Sequence, residues 1–298
     1  YTEENTLSLH DALPISLAVE LNTGTAAVDQ SFTLGGETLT LVLPEGPYVR
    51  VAGAGVTLTI LGQSVTTDVV VTRVQAPDTL AVTLTLQLRN TRLTLGGTPG
   101  APLLTVAQPV SGAGSLAQFV LTNTGIYGAI TVGVSLSVPS VAVSGTVSLL
   151  FNTTSSSQIL IPNDTTTVVD ETLTGAAGLV RVGGSNVSVT VLGQSVTGSV
   201  TLEQVRNAAG ASVVRVGFTG VTMSLGPLTV SNGSGLFVLT SAGLAGVLTV
   251  AFAVDGGAPF ALAGALELQV NTTSQRIVDT LQVGAGTVSL DVPAGPYL

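Results

Sequence analysis

Asn152-Thr-Thr154, Leu179-Val-Arg-Val182, Asn186-Val-Ser-Val-Thr-Val191 and Leu192-Gly-Gln-Ser-Val196 follow one another in the block from Asn152 to Val196. Val187, Val189 and Val191 alternate with Ser188 and Thr190, and β-branched residues at period two mark a half-buried strand. Gly193 offers a bend, and Gln194 and Ser195 offer side chains to exposed backbone groups. Outward from this block the rhythm continues. Val56, Leu58 and Ile60 alternate with threonines, and Gly35-Gly36, Pro44-Glu-Gly-Pro47, Gly53-Ala-Gly55 and Gly96-Gly97 punctuate at short intervals. No amphipathic helix is legible, so the chain reads as all-β, each unit a strand, a small-residue bend and a second strand.

The same order occurs earlier as Asn22-Thr23, Val28-Asp29, Tyr48-Val-Arg-Val51 and Leu61-Gly-Gln-Ser-Val65, and begins again as Asn271-Thr-Thr273, Val278-Asp279 and Pro293-Ala-Gly-Pro-Tyr297. Leu61 to Leu192 and Arg50 to Arg181 are shifts of 131, Phe119-Val-Leu-Thr122 to Phe237-Val-Leu-Thr240 is 118, and Asn152 to Asn271 is 119. Repetition at a fixed period is the signature of stacked units. Copy one is placed at 21–150, copy two at 151–269, and a third copy begins at 270 and runs to 298. Copy two is shorter, and the extra residues of copy one fall between Gly96 and Gln118. The few polar residues at Asn-Thr-Thr are too short for a flexible linker, so copies are expected to hand over directly. This favours an elongated antiparallel β-repeat array, a continuous meander or solenoid-like sheet. The alternative is a string of β-sandwich domains.

Several repeated residues carry expectations. Gly in the Gly-Pro-Tyr segments is expected to supply a positive φ in a turn. Tyr48 gives way to Leu179 in copy two, which suits a packing residue. Arg50 and Arg181 sit between valines and are expected to face solvent, while Asp29, Asp170 and Asp279 suit a structural turn.

The chain has 298 residues, 8% charged and a net charge of −9, with no Cys, no Trp and a single His. Its eight basic residues are all Arg, and an acidic chain without a basic patch disfavours nucleic acid as partner. Without Cys or Lys, and with His10 in the leader described below, no nucleophile and base can be paired. Neighbouring Asp170 and Glu171 on a strand would point to opposite faces, which disfavours a glycosidase pair. Asn163-Asp164 and Asp170-Glu171 could offer oxygens to calcium, but no Asp-x-Asp-x-Asp-Gly loop accompanies them. The reading is non-enzymatic, with no catalytic, cofactor-binding or metal residues assigned and no cofactor expected.

Ser8-Leu-His-Asp-Ala-Leu-Pro-Ile-Ser16 resembles a translated sequencing-adapter artefact, and residues 1–16 are set apart as a non-native leader. The combination of Asn-Thr-Thr, Val-Asp, Gly-Pro-Tyr, Val-Arg-Val, Leu-Gly-Gln-Ser-Val and Phe-Val-Leu-Thr-x-x-Gly resembles the tandem-repeat regions of very large bacterial cell-surface proteins. That resemblance implies an exported, extracellular or cell-surface segment with a structural or adhesive role. Its expected partners are neighbouring repeats of the same chain, other surface proteins or lipid. A lipid-binding β-groove is the alternative, motivated by a high apolar fraction with few charges.

Overall fold

The computed structural model describes residues 16–60, 63–76, 78–95, 102–110, 115–139, 141–160, 173–206, 210–225, 227–254 and 262–296. Among these residues the chain forms strands and no helix. In order they are β1 (Ser16–Asn22), β2 (Val28–Leu34), β3 (Glu37–Leu43), β4 (Tyr48–Ile60), β5 (Gln63–Gln75), β6 (Val82–Leu95), β7 (Leu104–Ala107), β8 (Leu116–Thr122), β9 (Gly125–Val138) and β10 (Val141–Asn152). Then come β11 (Gln158–Leu160), β12 (Leu173–Gly175), β13 (Val180–Val191), β14 (Gln194–Arg206), β15 (Ser212–Leu225), β16 (Leu228–Thr240), β17 (Gly243–Val254), β18 (Leu262–Asn271), β19 (Ile277–Val283) and β20 (Gly286–Val292).

Fourteen strands join in one antiparallel sheet, ordered β1-β4-β5-β6-β7-β9-β10-β13-β14-β15-β16-β17-β18, with β8 between β6 and β9. Neighbours in space are almost always neighbours in sequence, the mark of a meander, and no sandwich string forms. The ladder crosses the Asn152 joint without a break, because Val141 to Phe151 of β10 pair with Val191 to Val180 of β13. Between β6 and β9 the place of a single long strand is taken by two short ones, β7 and β8. The residues joining them, 108–115, lie within the Gly96–Gln118 stretch that sets copy one apart in length.

The expected pairs of strands joined by bends are instead single long strands carrying a bulge. Pairing slips at Gly53/Val56, at Gly184/Val187, at Phe218/Val221 and at Ser231/Ser234. A left-handed residue sits in each slip: Gly55 (φ 65), Asn186 (φ 50), Gly220 (φ 61) and Asn232 (φ 54). Asn90 (φ 52) does the same in β6. Gly and Asn tolerate this region, and the extra residue bends the strand. Asp68 ties two bulges together, accepting from Gly55 N at 2.7 Å and Asn90 Nδ2 at 2.6 Å.

Three two-stranded hairpins, β2–β3, β11–β12 and β19–β20, stand off the sheet as flaps. Among the described residues the core lies between flaps and sheet, on one face. Flap β19–β20 seats Leu281, Val283, Val288, Leu290 and Val292 against Val213, Leu236, Val238 and Ala245 of β15–β17. Leu160 of the second flap packs with Ala129, Leu150 and Leu179. Among the described residues the other face has no such cover. There Leu149, Val182, Leu202, Val216, Phe237 and Val270 form one cross-strand row.

Candidate functional site

The Asn-Thr-Thr motif is the root of a flap, placed at the joint where the ladder passes from β10 to β13. Asn152 and Asn271 are 1% and 0% exposed. Asn271 Nδ2 donates to Gln275 O at 2.8 Å and Pro293 O at 2.6 Å, gripping both legs of its hairpin. Its Oδ1 accepts from Thr273 N and Thr273 Oγ1, both at 2.8 Å. Asn152 grips Ser156 O and Gly175 O, and Asn22 grips Ala26 O and Pro44 O, in the same way. A primary amide suits this place because it supplies two donors and an acceptor.

The two threonines have separate tasks. Thr154 and Thr273 close the turn onto the asparagine. Thr153 and Thr272 tie the joint to the preceding strand: Thr272 Oγ1 accepts from Leu244 N at 2.9 Å and donates to Leu244 O at 3.2 Å, and Thr153 does the same with Ile126.

The glycine of Gly-Pro-Tyr is required by contact, not by a positive φ. A Cβ on Gly46 would lie 2.1 Å from Asn22 O, and one on Gly295 would lie 1.9 Å from Asn271 O. The returning leg therefore presses directly on the root asparagine. Tyr48 and its counterpart Leu179 are both buried, as packing residues would be, while Tyr297 lies outside the described residues. The glycines of Phe-Val-Leu-Thr-x-x-Gly-x-x-Gly also have a contact reason. Phe119 pairs with Gly128 and Phe237 with Gly246, and a Cβ on either glycine would meet the ring.

The repeated arginine is ion-paired and not free in solvent. It lies on the flap side, half-buried, while Val180 and Val182 turn to the open face at 38% and 41% exposure. Alternation fixes that residues differ in face, not which face is covered. Arg50 pairs with Glu20 at 2.6 Å, and Tyr48 Oη donates to the same carboxylate at 3.2 Å. Burial, then the bond to Glu20, raises the Tyr48 phenol above its ordinary value. Arg181 meets Glu203, whose side chain is only 4% exposed, and Arg215 bonds that carboxylate at 3.0 Å and Asp279 at 2.7 Å. Burial works against the Arg215 charge, but its bonds to Asp279 and Glu203 more than offset this and raise its pKa. This chain of four charges ties flap β19–β20 to the sheet.

Asp29 and Asp279 are strand residues, not turn residues. Asp29 lies in β2 and Asp279 in β19, and they are not equivalent: Asn22 to Asn271 and Pro44 to Pro293 are both shifts of 249, which match Asp279 with Gln30. Asp170, Glu171 and the candidate calcium segment Asn163-Asp164 lie outside the described residues, as do 1–15 and with them His10. No cluster of three or more His, Cys, Asp or Glu able to hold a metal occurs among the described residues.

The open face is the second candidate surface. Leu17, Val19 and Leu21 of β1 are 67%, 63% and 56% exposed, and Leu202, Leu239 and Leu266 continue the exposure across the sheet. Contiguous apolar exposure is the kind of surface that protein or lipid partners cover. No family model matches this chain, and no curated protein or solved structure does either.

Proposed function

We propose that this chain is a non-enzymatic structural or adhesive segment of a larger exported bacterial surface protein, built as a tandem β-repeat array. The observation that supports it best is the unbroken ladder across the Asn152 joint, where β10 and β13 pair along their length and leave no linker. A sheet of this kind lengthens by a fixed step with each added unit. Duplicating residues 151–269 in frame adds six sheet strands, about 30 Å at the usual spacing between strands. Small-angle scattering checks this, and a maximum dimension that stays constant while the particle thickens refutes the array.

A second reading, a lipid-binding β-groove, is favoured by the uncovered apolar face. Native mass spectrometry after mild extraction would find lipid bound to the chain. A lipid-free protein whose open face is packed against protein would dismiss this reading.

A further inference from the structure

Flaps β2–β3 and β19–β20 are the same device. The constant shift of 249 matches Val28 with Ile277 and Leu43 with Val292, and both hairpins pair seven residues in identical register. The positions that β19–β20 buries are apolar again in β2–β3: Phe32 for Leu281, Leu34 for Val283, Leu39 for Val288 and Leu41 for Leu290. Ser31, Thr33, Thr38 and Thr40 fill the intervening places. Yet Phe32, Leu34, Leu39 and Leu41 are 52%, 68%, 42% and 43% exposed. The root bonds are the same, with Asn22 gripping both legs and Gly46 N donating to Gly24 O, as Gly295 N does to Thr273 O.

Flap β19–β20 is rooted on β18 and reaches back over β17, β16, β15 and β14. Flap β2–β3 is rooted on β1, the edge strand among the described residues, so the same reach carries it beyond the last described strand. Thr23 supplies an independent sign. Its counterparts Thr153 and Thr272 each hold both backbone groups of a residue in the preceding strand, whereas Thr23 is exposed and has no such partner among the described residues.

We infer that flap β2–β3 is a coupling arm that closes over a further repeat unit paired to the β1 edge. Its occupant is a four-strand ledge of the design of β14–β17. The fit specifies that ledge. It offers an apolar floor with a notch like Gly217, where a Cβ would lie 2.7 Å from Val283 Cγ2. Its first strand neighbour offers an N–H and a C=O to the Thr23 hydroxyl. Gln30 stands where Asp279 takes Arg215, so this ledge carries a neutral polar group in place of that arginine. The inference deepens the array reading and rests on it.

The test joins residues 16–264 directly to a second 16–298, so that the inner β1 takes the place of β18 and the inner flap lands on β14–β17. The chain has no Cys, so one cysteine gives an unambiguous label. Leu41→Cys in the inner flap should react with a thiol reagent at least about tenfold more slowly than Leu41→Cys in the single chain, approaching Leu290→Cys. Equal reactivity in the inner flap and the single chain overturns the inference. So does a single chain whose Leu41→Cys is already protected in a concentration-dependent way, because a second copy would then be the occupant. A joined chain that lengthens in scattering but keeps a reactive inner thiol refutes the coupling arm alone, while one that fails to lengthen refutes the array.

Discussion

Replacing Asn271 by Ala should release flap β19–β20 without unravelling the sheet. The side chain makes four hydrogen bonds and is fully buried. Removal strands the buried Thr273 N–H, which costs about 1–3 kcal/mol, and forfeits the grip on the second leg, about 0.5–1.5 kcal/mol. Gln275 O keeps a donor in Thr273 Oγ1 at 3.0 Å, which limits the loss. The sum is about 1.5–4.5 kcal/mol, borne by the flap, because β18 stays paired with β17 along its whole length. A two-stranded hairpin is marginal alone, so an undocked flap loses its amide protection. Native-state hydrogen exchange should therefore accelerate by roughly two orders of magnitude at residues 277–292 and hardly change in β14–β17. Asn271→Asp separates the donors from the acceptor. A carboxylate there faces two carbonyls, which favours its protonated form and raises its folded pKa. That variant should be most protected below the ordinary Asp value and lose protection as pH rises through the raised one. Unchanged exchange at 277–292 in both variants would refute the root as the element that holds the flap.

Further outcomes follow from the flap side. Glu203→Ala leaves Arg181 and Arg215 facing each other without their shared carboxylate, and since both arginines keep some solvent the loss in chemical denaturation should be about 2–3 kcal/mol. A loss under about 0.5 kcal/mol, the level of an exposed pair, would show that the cluster is inert. Gly217→Val fills the notch under Val283, Leu281 and Val288, and should weaken the flap by about 1–3 kcal/mol while leaving the pairing of β14 with β15 intact, read by exchange at both places. The difference between ultraviolet titrations of the wild type and Tyr48→Phe should isolate a phenol that ionises above its ordinary value. Its neutral form is the one the fold favours, so this contribution is present below the ordinary tyrosine value and is lost as pH rises through the raised one. A Tyr48 that ionises at the ordinary tyrosine value would contradict its burial beside Glu20.

The strand content is legible because alternation and glycine spacing are local properties. Val187 to Val191 read as a strand and form one. The flaps are not legible, because Phe32, Leu34, Leu39 and Leu41 alternate in the same way as residues of the main sheet. Period two says nothing about whether a strand joins the ladder or lies across it. The face of Arg181 is hidden for a related reason: both faces of the sheet are rich in valine, and only the position of the flap decides which is interior. Asn271 reads as a turn residue by type, and its burial arises from the close return of Gly295 some two dozen residues later. The spacing Asn, Gly-Pro at +24 and +25, shared by Asn22 and Asn271, was the available signal.

The buried root asparagines have a consequence for making this protein. Asn152-Thr-Thr154 and Asn271-Thr-Thr273 are acceptor sequences for N-linked glycans, yet at 1% and 0% exposure neither side chain can carry a sugar in the folded state. Both amide protons are already committed to the hairpin legs. In a eukaryotic secretory host the transferase meets the chain before the flaps close, and each glycan added there would wedge a flap open. Production in a host without that machinery keeps the roots intact, and mass spectrometry of host-glycosylated chains would find their flaps unprotected at those two sites.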